Sequence, residues 1–322
     1  MVEQNKRYRR KTRQQPPKSP GFLGPKNLSE ADIEAEEKAL REAFLWFDPD
    51  EVTQQDYDTS EPLSEAATAE QPEPEPEPEM APTFWPLLSR ISVNPVQMDR
   101  NLIITARRQN PSHAAFDVLR ARLFQALSEH GWKRVAITSP TRDCGKTFVS
   151  INLAIALSRY ENCRTVLLDL DMRNPSIAKT LGEQDVGSMS DYLRGKVPLT
   201  DHFHRFGENE LNIGDNLAIA MNDRVEPYSS ELLQEPETRA CLEEMEQALQ
   251  PNVILFDLPP ALAHDDVIAF RDNFDGVLVV IDGTVTTGAQ VQEVMRRLGD
   301  DCPLLGVVLN KAEDATGNEY GY

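Results

Sequence analysis

The stretch Arg134–Thr147, RVAITSPTRDCGKT, decides the fold. Val135, Ala136 and Ile137 form a short apolar run, Gly145-Lys146-Thr147 close a loop, and Phe148 to Leu157 continue with apolar residues at helical spacing. That pattern predicts strand, loop and helix. In such a loop, backbone N–H groups and a helix N-terminus point at one spot, and a lysine ammonium reaches the same spot, so phosphate oxygens bind there. Thr147 offers its hydroxyl to a magnesium ion. The spacing departs from G-x-x-x-x-G-K-[ST] once: Pro140 replaces the first glycine, removing an N–H and fixing φ. The alternative is a chance G-K-T behind an apolar run.

Downstream, short apolar runs alternate with amphipathic ones. Thr165–Asp169, Leu217–Met221, Asn252–Asp257, Gly276–Ile281 and Leu304–Leu309 read as strands; Lys146–Ser158, Ser230–Leu249 and Ala289–Leu298 read as helices. Apolar strands alternating with helices imply a mostly parallel sheet covered by helices on both faces, an α/β fold. Ligands of such sheets sit beyond the carboxyl ends of the strands. Two strands end in acids there: one leads into Asp169-Leu170-Asp171-Met172-Arg173, the other into Asp257-Leu258-Pro259-Pro260. Three carboxylates and the Arg173 guanidinium thus converge on the edge that holds Lys146 and Thr147. A lone strand-end Asp is an ordinary turn or cap residue; two such ends joined to a G-K-T loop fit cleavage or transfer of a nucleotide phosphate.

Upstream, Phe116, Leu119, Leu123 and Leu127 recur at helical spacing, and Leu102-Ile103-Ile104 reads as an edge strand or docking segment. The 322-residue chain carries a formal charge of -20, which argues against nucleic-acid binding by its general surface. Residues 1–20 are the exception, with Lys6, Arg7, Arg9, Arg10, Lys11, Arg13 and Lys18 against Glu3. They read either as a solvated disordered arm or as a peripheral contact for anionic membranes. Ser29 and Asp32 stand before Ile33, Leu40, Phe44 and Phe47, a capped amphipathic helix; Asp48–Glu79 is an acidic, proline-rich linker. The expected organisation is 1–80 for arm, helix and linker, 81–111 for a lead-in, 112–315 for the nucleotide domain, and 316–322 for a mobile tail with Tyr320 and Tyr322. Cys144, Cys163, Cys241 and Cys302 lack C-x-x-C spacing, so neither a disulfide framework nor a zinc site is indicated. No apolar run reaches the ~20 residues of a membrane span, and no signal-peptide segment opens the chain.

The S-P-T-R-D-C-G-K-T loop, Asp169-x-Asp171-x-Arg173 and Asp257-x-Pro259-Pro260 together resemble the bacterial tyrosine kinase (BY-kinase) family of capsular and exopolysaccharide biosynthesis. Asn110–Leu123, Gly187–Leu193, Ser230–Leu233, Asp266 and Gly306–Asn310 extend the likeness over roughly residues 102–315. The resemblance implies a P-loop NTPase that uses ATP and Mg2+ for protein-tyrosine autophosphorylation. It implies Lys146, Asp169 and Arg173 as catalytic residues, with Asp169 the base for a tyrosine hydroxyl. It implies Thr141, Arg142, Asp143, Cys144, Gly145, Lys146, Thr147, Phe148 and Asn310 around the nucleotide. Thr147, Asp171 and Asp257 would serve magnesium, and Tyr320 and Tyr322 would accept phosphate in competition with Tyr8, Tyr57 and Tyr228. The implied partner is a separate transmembrane copolymerase or activator, and the implied place is the cytoplasm, with recruitment to the inner face of the membrane. Where the family's oligomer helix carries E-x-x-R-x-x-R, this chain has Ala114, Asp117 and Arg120, so self-association runs through a weakened motif. Two other readings share the fold: a nucleotide-gated ATPase regulator of the same machinery, and a partitioning-type ATPase, whose loop would carry lysine where Thr141 stands.

Overall fold

The computed structural model describes residues 84–103 and 111–312. The basic arm, the 29–47 helix, the acidic linker, Ile104 and the tail with Tyr320 and Tyr322 lie outside the described residues. One eight-stranded sheet is built from β1 (Ser89–Ile91), β2 (Arg134–Thr138), β3 (Thr165–Asp169), β4 (Phe203–Phe206), β5 (Leu217–Ala220), β6 (Val253–Asp257), β7 (Gly276–Asp282) and β8 (Leu304–Asn310), in the order β1-β4-β5-β3-β6-β2-β7-β8. Every pairing is parallel except β4 with β5.

The centre of the sheet is buried on both sides because β3, β5, β6 and β7 are apolar along nearly their whole length and helices cover each face. Val135, Ile137, Leu167, Leu255 and Val280 face one side, against α1 (Pro95–Arg100), α2 (Pro111–His130), α3 (Lys146–Leu157) and α4 (Ile177–Leu181). Ala136, Val166, Leu168, Phe256 and Val279 face the other. There they meet α5 (Met189–Leu193), α6 (Leu199–His202), α7 (Ser229–Gln234), α8 (Pro236–Leu249), α9 (Asp266–Ala269) and α10 (Gly288–Leu298). Each fully buried Leu or Ile contributes about 2 kcal/mol to this arrangement. α3 is buried almost all round, from Val149 to Leu157, so the helix behind the phosphate loop is held by the core rather than by its own propensity.

Three elements differ from the sequence-based expectation. The single helix expected over Ser230–Leu249 is two: Pro236 disfavours helical backbone at Glu235, which sits at φ -64°, ψ 140° and separates α7 from α8. Leu102 is not in a strand; it takes φ 58° and lets the Ile103 amide bond back to the Met98 carbonyl at 2.9 Å, burying Ile103 as a docking residue. The lead-in instead supplies the edge strand β1, which pairs with β4 in the main sheet and is fixed by the Trp85 indole N–H on the Leu249 carbonyl, 2.6 Å away.

This topology positions the site. β2 lies between β6 and β7, β3 lies beyond β6, and Asp169 stands directly opposite Asp257 in register.

Candidate nucleotide site

The loop between β2 and α3 turns through two left-handed residues, Asp143 (φ 63°) and Gly145 (φ 88°). Gly145 is required twice over. Its φ disfavours any L side chain, and a Cβ there would stand 2.1 Å from Asn310 Nδ2. Asn310, at the end of β8, donates Nδ2 to the Cys144 carbonyl at 2.9 Å, so the carboxyl end of the last strand meets the loop. The next residue, Lys311, donates to the Asp143 carbonyl and pairs with Asp282 at 3.1 Å.

Below the loop, the acids converge on Lys146. Its Nζ lies 2.7 Å from Asp171 and 3.7 Å from Asp257. The Thr147 hydroxyl donates to Asp257 at 2.6 Å, Ser150 donates to the other Asp257 oxygen at 3.1 Å, and Ser176 donates to Thr147 Oγ1 at 3.0 Å. Asp169 accepts the Ser176 and Ile177 amides on Oδ2 at 3.1 and 3.0 Å, while its buried Oδ1 has no partner.

One ammonium among three buried carboxylates leaves the cluster short of positive charge. Burial pushes the Asp169 carboxyl well above its usual range and Asp257 adds to the rise, against relief from the Ile177 amide and Lys146. Asp257 is also raised, again by burial first, with Lys146 and the Thr147 hydroxyl opposing it and Asp171 reinforcing it. For Lys146 burial acts against the charged form, but Asp257 and Asp171 outweigh it and hold the ammonium above its ordinary pKa. A divalent cation and an anionic ligand fit this imbalance, the first relieving the acids and the second meeting the loop amides. Among the described residues, no three His, Cys, Asp or Glu side chains already form a metal cage.

The remaining sequence candidates separate. Arg173 turns from the loop: its Nε bonds both oxygens of the buried Asp266 at 2.9 and 3.2 Å, Nη1 reaches the Pro227 carbonyl at 3.0 Å, and Ser229 donates to the same Asp266 carboxylate. The Phe148 ring packs edge-on against Phe116 with ring centroids 5.8 Å apart. Thr141 lies 3.5 Å from the Cys144 sulfur, which is buried at 1% exposure, while Arg142 and Asp143 form the exposed rim. Sequence reasoning missed Ser150, Ser176, Asp282 and Lys311. Asp282 was available to it, since Val279-Val280-Ile281-Asp282 is a third apolar strand ending in an acid.

Comparison with known proteins places this geometry among relatives. The chain is 29% identical over 226 residues to the putative tyrosine-protein kinase EpsB of Ralstonia solanacearum, covering 69% of this chain but 29% of EpsB. It is 24% identical over 227 residues to the tyrosine-protein kinase YwqD of Bacillus subtilis, covering 70% of this chain and 92% of YwqD. The solved kinase domain of the Escherichia coli tyrosine kinase ETK superposes with a TM-score of 0.59 at 25% identity, over 68% of this chain and 84% of that one. Among the described residues no helix is long and apolar enough to cross a membrane. Residues 135–320, more than half of the chain, match the CobQ/CobB/MinD/ParA nucleotide binding domain, and with its phosphate loop set between acid-ended parallel strands the chain belongs to that family of P-loop proteins.

Proposed function

We propose that this chain is a protein-tyrosine kinase that transfers the γ-phosphoryl group of ATP to tyrosine and regulates polysaccharide synthesis and export. The observation that carries the reading is the in-register pair Asp169 and Asp257 beside Lys146 and Thr147. Thr147, Asp171 and Asp257 would hold Mg2+, which when bound neutralises charge on the β- and γ-phosphoryl oxygens. Lys146 stays charged across neutral pH and meets the same oxygens. Asp169, whose carboxyl burial raises and whose Oδ1 has no partner, takes the phenolic proton. Asn310 and the Thr141–Phe148 backbone shape the nucleotide pocket. Arg173 acts by positioning, tying the end of β3 to α7 and α9 through Asp266.

The resemblance to BY-kinases supports a transmembrane copolymerase as activator, recruitment to the inner membrane face, and Tyr320 and Tyr322 as acceptors. A second reading, the ATPase regulator, is favoured by Arg120. This last arginine of the self-association pattern bonds the Ala156 carbonyl at 3.1 Å and covers the Tyr160 ring at 4.4 Å, so it is engaged within its own chain. Incubating the full chain with radiolabelled ATP and Mg2+ separates the two. Label on tyrosine, absent in Lys146→Met, supports the kinase; label only in free phosphate supports the regulator.

A further inference from the structure

The phosphate loop has one end that its own sequence holds poorly. Where the G-x-x-x-x-G-K-[ST] pattern begins with glycine, this chain has Pro140, which brings no N–H to the loop. That end is held from outside. The Ala261 amide donates to the Ser139 carbonyl at 2.8 Å and the Leu262 amide to the Pro140 carbonyl at 3.2 Å, while the Ser139 hydroxyl carries the restraint on to the Thr141 carbonyl at 2.7 Å.

Ala261 and Leu262 lie midway along the segment that joins Asp257 to Asp266. One end of that segment accepts the Thr147 hydroxyl, and the other accepts Arg173. Its first half is fixed by Pro259, whose carbonyl accepts the Thr138 hydroxyl at 2.7 Å, and by Pro260, whose carbonyl closes a turn with the Ala263 amide at 3.0 Å. The turn at Ala261 and Leu262 therefore sets where the open end of the phosphate loop stands relative to the acids.

Arg297, in the last turn of α10, holds that turn. Its Nη1 donates to the Ala261 and Leu262 carbonyls at 3.3 and 3.4 Å, and its Nε donates to Glu293 at 3.3 Å, which orients the guanidinium. Both turn residues thus direct an amide to the phosphate loop and a carbonyl to one side chain. Ala261 is 1% exposed, so its carbonyl needs a protein partner. The neighbouring Arg296 is 72% exposed and pairs with the same Glu293 at 2.6 Å. We propose that Arg297 is a positioning residue of the nucleotide site: it fixes the Ala261–Leu262 turn and, through it, the Ser139–Thr141 limb of the phosphate loop before nucleotide arrives.

This role rests on the nucleotide reading of the loop and is independent of tyrosine as acceptor. A limb freed of the restraint samples conformations that do not accept phosphate, and affinity falls with the competent fraction. Lys146, Thr147 and Asp257 are tied to one another by their own bonds, so turnover of bound nucleotide is preserved.

Hydrogen–deuterium exchange of the full chain without nucleotide, read by mass spectrometry, tests the restraint directly. In Arg297→Met, which keeps a stem that packs, exchange at the Ala261 and Leu262 amides should rise about tenfold while β6 stays protected. Arg296→Met removes a guanidinium from the same helix and the same Glu293, and should leave the turn as it is. Titration calorimetry with ATP and Mg2+ should then show affinity about fivefold weaker in Arg297→Met and within about twofold of the parent in Arg296→Met, with kcat at saturating ATP unchanged in both. Arg297→Lys, whose ammonium still reaches a carbonyl, should recover part of the protection and of the affinity. Unchanged exchange in Arg297→Met would overturn the proposal, as would an equal rise in Arg296→Met or faster exchange with affinity intact. A fall in kcat at constant affinity would overturn it too, by placing Arg297 in the chemistry. Failure of the parent chain to bind ATP would count against the nucleotide reading instead, while the exchange comparison still decides whether Arg297 holds the turn.

Discussion

The centre of the sheet and the entry to β4, next to the edge strand β1, bury polar groups in different ways. β2, β3 and β6 run parallel, so their carboxyl ends meet and gather Asp169, Asp171 and Asp257 around the single ammonium of Lys146. β4 runs antiparallel to β5, and the buried polar group leading into it, His202, is uncharged at neutral pH. It stacks on Tyr192 with ring centroids 5.2 Å apart and meets the Phe203 ring edge-on. At His202 burial is met by leaving the ring uncharged, while the neighbouring buried Arg205 is paired with Asp215 at 3.7 Å. The centre retains charge without balancing it, and an imbalance of that kind is useful only if a ligand completes it.

The comparison breaks most directly at Lys146. Lys146→Met removes the one ammonium among the acids while keeping a stem that packs. ATP turnover should fall about 10^2- to 10^3-fold, the scale of losing one preorganised charge at a transition state. The nucleotide-free domain should still unfold cooperatively, at a lower Tm, because Asp171 and Asp257 lose their counter-ion. Turnover within about threefold of the parent, measured by phosphate release, would remove the loop from the chemistry. Asp171→Asn should weaken magnesium-nucleotide binding more than Asp169→Asn does, and equal losses would erase the distinction between ligand and base.

Arg173 sharpens the boundary of the charged centre. Its guanidinium pairs with an Asp266 side chain of zero exposure, so Arg173→Met strands a buried carboxylate and should lower stability by about 3 kcal/mol. Chemical denaturation reads this. If Arg173 instead served the phosphates directly, turnover would collapse with stability unchanged. A double substitution with Asp266→Asn should recover part of the stability.

Much of the centre was legible in the sequence because its signals are local. Val135–Ile137 before a G-K-T loop, and apolar runs ending in Asp169 and Asp257, depend only on neighbours in the chain and on the rule that parallel strands share a carboxyl edge. What stayed hidden depends on long-range pairing. β4, Phe203–Phe206, interleaves apolar residues with His204 and Arg205, and only its partners β1 and β5 make it a strand. Ser176 reaches Thr147 across 29 positions of sequence, and Lys311 reaches Asp143 across 168. No spacing rule connects them. Arg173 was placed on the right edge, but its direction is set by Asp266, 93 residues away.

The entry to β4 makes its own prediction through His202. Burial lowers its pKa from 6.5 to about 4, His204 adds to the shift, and Asp223 and Asp191 oppose it weakly. Between those values the unfolded chain holds a proton that the folded chain refuses, so stability falls as pH drops from 6.5 towards 4, by up to about 3 kcal/mol. His202→Phe should flatten this part of the pH profile of Tm while leaving the response of the acid cluster in place. An unchanged slope in the variant would mean that the histidine titrates normally.

The smallest effect is expected at Lys311, where the two solutions to burial meet solvent. Its side chain is 47% exposed, so the bridge from Asp282 to the Asp143 carbonyl adds little to stability, and Lys311→Met should move Tm by no more than about 2 °C. Its consequence is positional. Asp143 holds a left-handed φ of 63°, and the bridge fixes the carbonyl of that residue from outside the loop. Asp282 is suited to anchor it, since the Thr284 hydroxyl and amide, helped by Lys311, bring its carboxyl down to about 2 and keep it ionised at neutral pH. Freed of the bridge, the loop samples more conformations before nucleotide arrives, so affinity should weaken about threefold while turnover at saturating ATP stays constant. Lys311→Arg, which preserves the charge and donors, should restore most of the affinity. Titration calorimetry with ATP alongside steady-state turnover reads both quantities: a fall in kcat at unchanged affinity would place Lys311 in the chemistry instead, and no change in either would leave the bridge without a part in binding.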